Sequence, residues 1–331
     1  MDPAFQSFAA QALHYFRREH EAAARDPIGG PAAWRGAELA RRPESWTREL
    51  TASEIEELER ALRAVRARGL ALGEIRREDF PLPTLAAAAK HWAREILEGR
   101  GFLLLRGLPV ARWGDADSAL VYWGLGQHLG MPGAQNPEGE LLGHVVDTHE
   151  EAANPNVRRY RTKGEIRFHC DLADAVGLLC LRTARAGGAS RIASSVSIYN
   201  EILARRPALA DRLFEPFLLD SRDEQRPGAS AYFPVPPCRY ARGRLATFWH
   251  SDYFRSVVRH AEVPPFTAQE SELLDLYDEL AGSKELRLDM RFQPGDVQLI
   301  SNHTVVHART AYHDDPGSER HLLRLWLSLD R

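Results

Sequence analysis

Residues 165–171 read Glu165-Ile166-Arg167-Phe168-His169-Cys170-Asp171. The run reads as a strand, and on a strand positions i and i+2 point the same way. His169 and Asp171 therefore face one side together, and Cys170 faces the other. Apolar Ile166 and Phe168 surround the pair, which predicts a site at a strand end inside a barrel mouth. Far downstream, a turn at Pro294-Gly295-Asp296 and an apolar strand, Val297-Gln298-Leu299-Ile300, lead to His307. In a jelly roll, strands distant in sequence pair in space, so all three side chains can share one metal. Two imidazoles and a carboxylate on one face of a metal leave three positions open, an arrangement that suits Fe(II) binding a co-substrate and O₂.

Each part of this constellation is weak alone, because a lone HxD pair is common by chance. His303 lies four residues before His307, which on a helix would resemble a zinc pair. There is no HExxH, and β-branched Thr304-Val305-Val306 disfavours a helix. His303 is expected outside the ligand set, in a structural or supporting place. Asp174, three residues after Asp171, faces the wrong way on a strand.

Arg320 and Arg324 share parity in the stretch Arg320-His321-Leu322-Leu323-Arg324-Leu325-Trp326-Leu327, and Leu323, Leu325 and Leu327 have the opposite parity. A guanidinium projecting into an otherwise apolar pocket wants a carboxylate, held by a two-pronged, charge-assisted contact. Two other readings of the metal site compete with an oxygenase; the first has no need of such a carboxylate clamp, and the second no use for all three ligands. The first is a Zn²⁺- or Mn²⁺-dependent hydrolase or isomerase on a cupin-like barrel, and the second a non-catalytic small-molecule-binding barrel.

The rest of the chain is consistent with a globular enzyme. It has 331 residues, 44% hydrophobic and 27% charged, and a net charge of −3 from 43 basic and 46 acidic side chains. This balance argues against nucleic acid or an anionic membrane as the main partner. No window approaches the roughly 20 apolar residues of a membrane span, and a cytoplasmic location is expected. The partner expected is a small-molecule substrate, and a homo-oligomer is compatible with the sequence. Three cysteines without a CxxC argue against a disulfide framework or zinc knuckle and for buried free thiols.

Helices are predicted at 6–25, 51–68, 85–99, 116–129, 197–214 and 267–281, with an irregular connection at 26–46. Strands are predicted at 101–107, 165–171, 176–183, 245–250, 286–292, 297–301 and 321–329. Residues 131–165 read as a long polar excursion, of the kind that is usually functional. Helices wrapped around many non-adjacent strands imply an α+β fold: a double-stranded β-helix (jelly-roll, cupin-like) core with flanking helices. Residues 1–98 read as an N-terminal helical extension packed on a core of residues 99–331, one catalytic domain overall. The 131–165 loop and Thr247-Phe248-Trp249-His250-Ser251-Asp252-Tyr253-Phe254-Arg255 are candidate pocket walls. Aromatic rings mixed with Arg255 and Arg259 suggest a small polar or anionic substrate, such as an amino-acid-like carboxylate.

Five stretches in order carry a family resemblance: Phe168-His169-Cys170-Asp171, Ala186-Gly187-Gly188-Ala189-Ser190, Pro294-Gly295-Asp296, Asn302-His303-Thr304-Val305-Val306-His307-Ala308-Arg309, and Arg320-His321-Leu322-Leu323-Arg324. Together they resemble the taurine dioxygenase family of Fe(II)/2-oxoglutarate-dependent oxygenases, over roughly residues 99–329. The resemblance implies His169, Asp171 and His307 as iron ligands and Arg320 as the anchor of the distal carboxylate of 2-oxoglutarate. It implies that Ser190, standing where the family often has Thr, assists that carboxylate. It implies that Arg324 contacts the substrate or the near carboxylate. Halogenases of this architecture lack the carboxylate ligand, so Asp171 favours hydroxylation, desaturation or ring formation. Fe(II), 2-oxoglutarate and O₂ are the implied cofactor and co-substrates.

Overall fold

A computed structural model describes residues 5–149, 162–225 and 228–329. Its core is a pair of β-sheets. The larger has seven strands. Thr47–Glu49, Phe102–Arg106, Val297–Ser301, Ala175–Arg182, His321–Ser328 and Met131–Gly133 lie side by side, and Gly143–Val145 also pairs with His321–Ser328. The smaller has the order Arg287–Met290, Ser190–Ser194, Val305–Arg309, Ile166–His169. Neighbours in each sheet are far apart in sequence, which is the jelly-roll topology. Nearly all pairings are antiparallel; the edge strand Thr47–Glu49 runs parallel to Phe102–Arg106.

Local chemistry explains most helix ends. Ala52–Arg68 begins at a Thr51/Glu54 capping box and ends at Gly69 in the left-handed region. The helix expected at 197–214 is two helices, Ser195–Arg205 and Pro207–Arg212. Pro207 cannot continue the first, and it pushes Arg206 out of helical geometry. The helix expected at 116–129 starts earlier, at Val110, across a kink at Gly114.

The N-terminal helix departs furthest from expectation. It spans Phe8–Phe16, not 6–25. Beyond it, tertiary hydrogen bonds compete with the helix. The Arg18 guanidinium donates to the carbonyl of Pro236 at 3.3 Å, and the Glu21 amide donates to that of Tyr240 at 2.9 Å. Within the predicted excursion, Met131–Gly133 and Gly143–Val145 are strands that pair with His321–Ser328. The stretch 150–161 of that excursion lies outside the described residues. The strand expected at 245–250 ends at Thr247, and a short helix, Ser251–Ser256, follows. Five strands of the two sheets go beyond the predicted set: the short Thr47–Glu49, Met131–Gly133 and Gly143–Val145 of the larger sheet, and Ser190–Ser194 and Val305–Arg309 of the smaller.

Cys170, Cys180 and Cys238 are free and buried, and burial pushes each thiol up to about 12. A thiol held protonated and out of solvent is a poor nucleophile. Iodoacetamide at mildly alkaline pH is expected to leave all three unlabelled in the folded protein and to modify all three in denaturant, read by intact mass.

Candidate metal centre

The centre is assembled across one strand pair. His169 ends the strand Ile166–His169, and its direct partner on the antiparallel strand Val305–Arg309 is His307. Their rings lie 4.2 Å apart, centroid to centroid. Asp171 sits two residues beyond the strand end and closes the third corner. Its carboxylate oxygens lie 4.0 Å from His169 Nε2 and 3.7 Å from His307 Nε2. Among the described residues, this trio is the group of His, Cys, Asp and Glu side chains that could hold a metal, with ligand atoms within 4.8 Å of one another.

Two of the three side chains are held from behind, whereas His307 Nδ1 is buried with no hydrogen-bond partner among the described residues. His169 Nδ1 donates to the carbonyl of Arg167 at 2.9 Å, which leaves Nε2 as the lone-pair nitrogen facing Asp171 and His307. The Asp171 amide donates to Asn302 Oδ1 at 3.0 Å, and Trp326 Nε1 donates to Asp171 Oδ2 at 3.1 Å. Asn302 also donates to the carbonyl of Ala173 at 2.9 Å, so one side chain fixes the chain on both sides of Leu172. Cys170 points away, its amide donating to the carbonyl of Trp249.

The electrostatics suit a divalent ion. Burial pushes the His307 imidazole down to about 3, with His169 adding to the effect, so it is neutral and able to donate its lone pair. Burial would raise the Asp171 carboxyl, but Arg324, then His307 and His169, hold it below its usual range. Two neutral-capable imidazoles and an ionised carboxylate make a donor set that fits Fe(II).

His303 and Asp174 are engaged with each other. His303 Nε2 and His14 Nε2 each donate to Asp174, at 2.7 Å, and the Leu329 amide donates to it at 2.9 Å. Tyr15 stacks on His303 at 4.6 Å. His303 is thus a docking point for the N-terminal helix, apart from the trio.

Arg324 lies beside the trio. Its Nη1 is 3.7 Å from Asp171 Oδ1, and its Nε donates to Gln135 Oε1 at 2.6 Å. Arg320 is 4% exposed and packs on the Tyr312 ring at 5.1 Å, and its Nη1 is buried without a hydrogen-bond partner. An orphaned guanidinium nitrogen is what a carboxylate receptor leaves when no carboxylate is present. Gly188 passes beside it with φ of +68°, and a Cβ there would lie 3.0 Å from Arg320 Nε, whereas a Cβ on Gly187, at φ +77°, would meet the carbonyl of Ala311. Gly188 is therefore the position that lets this arginine pack. Ser190 is buried, and its hydroxyl donates to Gln298 Oε1 at 3.0 Å.

A cavity of about 600 Å³ opens onto His169, Asp171, Arg324 and Trp326. His250 and Tyr253, in the expected wall segment, line it, with their rings stacked. Arg255 and Arg259 do not. Arg255 pairs with Asp275 and Asp278, and Arg259 with Asp220 and Asp223. The expectation that they recognise substrate is corrected. The charged lining comes instead from Arg167, Arg222, Glu224 and Asp252. The sequence reading also missed the N-terminal helix, which contributes Phe8, Ala12, Leu13 and Phe16. Its only signal was an amphipathic pattern with no motif.

A fold, a two-histidine, one-carboxylate centre and a buried arginine together define a class: jelly-roll oxygenases that use iron and an oxo acid. The model of the family "Taurine catabolism dioxygenase TauD, TfdA family" matches residues 66–326, and the chain belongs to that family. It is 29% identical to FR-33289 synthase of Streptomyces rubellomurinus over 313 residues, covering 92% of this chain and 91% of that one. It is 30% identical to taurine hydroxylase-like protein SAT17 of Stachybotrys chartarum over 288 residues, covering 83% and 73%. In fold it is similar to an asparagine oxygenase solved with Fe(II), 3-hydroxyasparagine and succinate, with TM-score 0.67 and 19% identity, covering 86% and 94%. It is also similar to the non-heme iron oxygenase OrfP solved with Fe and 2-oxoglutarate, with TM-score 0.65 and 18% identity over the same shares. The protein is accordingly an oxidoreductase of the Fe(II)/2-oxoglutarate-dependent dioxygenase class, and the hydrolase and non-catalytic readings fall away. No helix among the described residues is long and apolar enough to cross a membrane.

Two measurements address the trio. His307→Ala is expected to abolish iron binding in equilibrium dialysis. His303→Ala should retain it while lowering stability by about 1–3 kcal/mol, since Asp174 loses a buried donor; equal loss of iron in both would move the ligand role to His303. The second concerns pH. Burial holds His307 at about 3 when folded, against 6.5 when unfolded. Between those values only the unfolded chain takes up the proton, so the metal-free fold loses stability as pH falls through that window. Urea midpoints at about pH 7 and about pH 5 should fall in that order, and His307→Ala should flatten the difference.

Proposed function

We propose that this protein oxidises an unactivated C–H bond of a small polar, carboxylate- or amino-acid-like metabolite while converting 2-oxoglutarate to succinate and CO₂. The observation that carries the reading is the convergence of His169, Asp171 and His307 within 4.8 Å beside a substrate-sized cavity. In this reading His169, Asp171 and His307 hold Fe(II), Arg320 takes the distal carboxylate of 2-oxoglutarate and Ser190 assists it. Arg324, beside Asp171, contacts the substrate or the near carboxylate. Bound iron supplies O₂ activation and hydrogen-atom abstraction. The chain's own residues do the rest. Three ligands on one face leave the opposite positions for co-substrate and O₂. The apolar wall of Phe8, Phe16, Phe248 and Trp326 keeps the reacting centre dry. Holding one C–H of the substrate near the iron selects the product.

The substrate class is supported by the lining. Arg167 and Arg222 provide positive charge, Glu224 and Asp252 negative charge, and all four face the cavity. Mixed charge suits a zwitterion such as an amino acid or its derivative. The hydroxylated amino acid held by the asparagine oxygenase supports the same class.

Anaerobic addition of Fe(II) and then 2-oxoglutarate should give the weak visible charge-transfer band of the chelate, and under air succinate should form. Neither band nor succinate would sink the reading. Arg320→Ala should raise the 2-oxoglutarate needed for half-saturation by roughly tenfold or more, as loss of a charge-assisted contact implies, with iron affinity nearly intact. Unchanged saturation would move the anchor to Arg324.

A further inference from the structure

Arg309 follows His307 by two positions on the strand Val305–Arg309, so both side chains leave the same face. It is 6% exposed. Its Nη2 donates to the carbonyl of Thr162 at 2.6 Å and to that of Gly164. Its Nε and Nη1 are buried and without hydrogen-bond partners among the described residues, as is Nη1 of Arg320. The two guanidiniums lie against one ring, with their Cζ atoms 4.8 Å and 5.1 Å from the centroid of Tyr312. Burial, and after it the charge of Arg320, pushes Arg309 down to about 10.

Among the described residues, no acid forms an ion pair with either guanidinium, although Asp314 and Asp147 lie near enough for their charges to act on Arg320 and Arg309. Asp147 pairs with Lys163 at 3.1 Å, and Asp314 Oδ1 accepts the backbone amide of Arg320. Arginine is almost never buried unless paired, and two like charges sharing one ring repel each other. Two buried guanidiniums on one ring make a corner whose electrostatics favour a further negative charge. Arg324 serves a different place, since it packs on Trp326 next to Asp171. Ser190 is the direct cross-strand partner of Arg309, which puts it at the same corner.

We propose that Arg309 is a second co-substrate-binding residue, forming with Arg320 a two-guanidinium receptor for the distal carboxylate of 2-oxoglutarate. The inference rests on the iron and 2-oxoglutarate reading above. A carboxylate has two oxygens, and two planar guanidiniums can each give one of them an N–H. Arg309 was not singled out as an anchor in the sequence. The family motifs assign the co-substrate to Arg320, and nothing in the spacing separates Arg309 from an ordinary strand arginine.

The competing role is purely structural, through the carbonyls of Thr162 and Gly164. Oxo acids of different length separate the two. Fe(II)-loaded protein is titrated anaerobically with 2-oxoglutarate and, in parallel, with 2-oxobutyrate, which has the same chelating end and no distal carboxylate. The charge-transfer band is read in both titrations, and iron content is measured first. Arg309→Gln should raise half-saturation by 2-oxoglutarate roughly tenfold or more and leave that by 2-oxobutyrate unchanged. Arg309→Lys, which keeps the charge but loses the fork, should fall between and serves if the glutamine variant does not load iron. Unaltered 2-oxoglutarate binding, or equal weakening of both oxo acids, would overturn the proposal. Absence of the band in the parent protein would sink the iron reading instead, and the receptor with it.

Discussion

The structure depends on one register. His169 and His307 are direct partners across an antiparallel pair, and a slip of one residue would turn either imidazole to the opposite face. Three contacts pin that register. Ser190–Ser194 pairs with the other edge of Val305–Arg309. Asn302, in the turn before that strand, reaches across to the Asp171 amide. The Cys170 amide is taken by the carbonyl of Trp249. Strand pairing alone could not place Asp171, because the strand has ended by then. Asn302 and Trp326 do so with side-chain hydrogen bonds.

A second linkage ties the N-terminal helix to the same turn. Asp174 is fully buried and accepts from His303, His14 and the Leu329 amide. His303 belongs to the turn that carries Asn302, His14 to the helix that walls the cavity, and Leu329 to the end of the strand that carries Arg324. One carboxylate therefore joins the cavity wall, the ligand-bearing turn and the arginine strand. Tyr15 reinforces it by stacking on His303 and donating to the carbonyls of Thr247 and Asn302. The N-terminal helix is thus a part of the site even though it carries no motif.

What the sequence made legible follows the range of each interaction. The spacing of His169 and Asp171 suggested a shared face by the period of a strand, a local rule, although the strand ends at His169 and Asp171 is placed by Asn302 and Trp326. The jelly roll could be read because helices punctuate many short, non-adjacent strands. The choice of His307 over His303 drew on the β-branched residues between them, and the reason the two differ is visible only as the contact of His303 with Asp174. Arg255 and Arg259 were misread because a mixture of aromatic rings and arginines in a segment does not show which acid meets each guanidinium. Asp220 and Asp223 come from a separate stretch, and the segment carrying Arg255 is a helix. The strand Ser190–Ser194 was missed because it is short and begins at a Gly-Gly turn.

Arginine is where sequence and site differ most in this chain. Many arginines here meet acids, as the exposed pairs of Arg206 with Glu272 and Arg182 with Asp115 show. An arginine in a sequence therefore carries little information about function. Among the described residues, Arg320 and Arg309 are buried with no ion-paired carboxylate and share the face of one ring, Tyr312, and that is a property of the assembled fold alone. Desolvating a guanidinium is expensive unless an anion takes its protons. A fold that buries two beside one tyrosine has made a place whose energetics favour a ligand's negative charge. In the proposed reading, the trio would hold the metal and the two guanidiniums would select an anionic co-substrate.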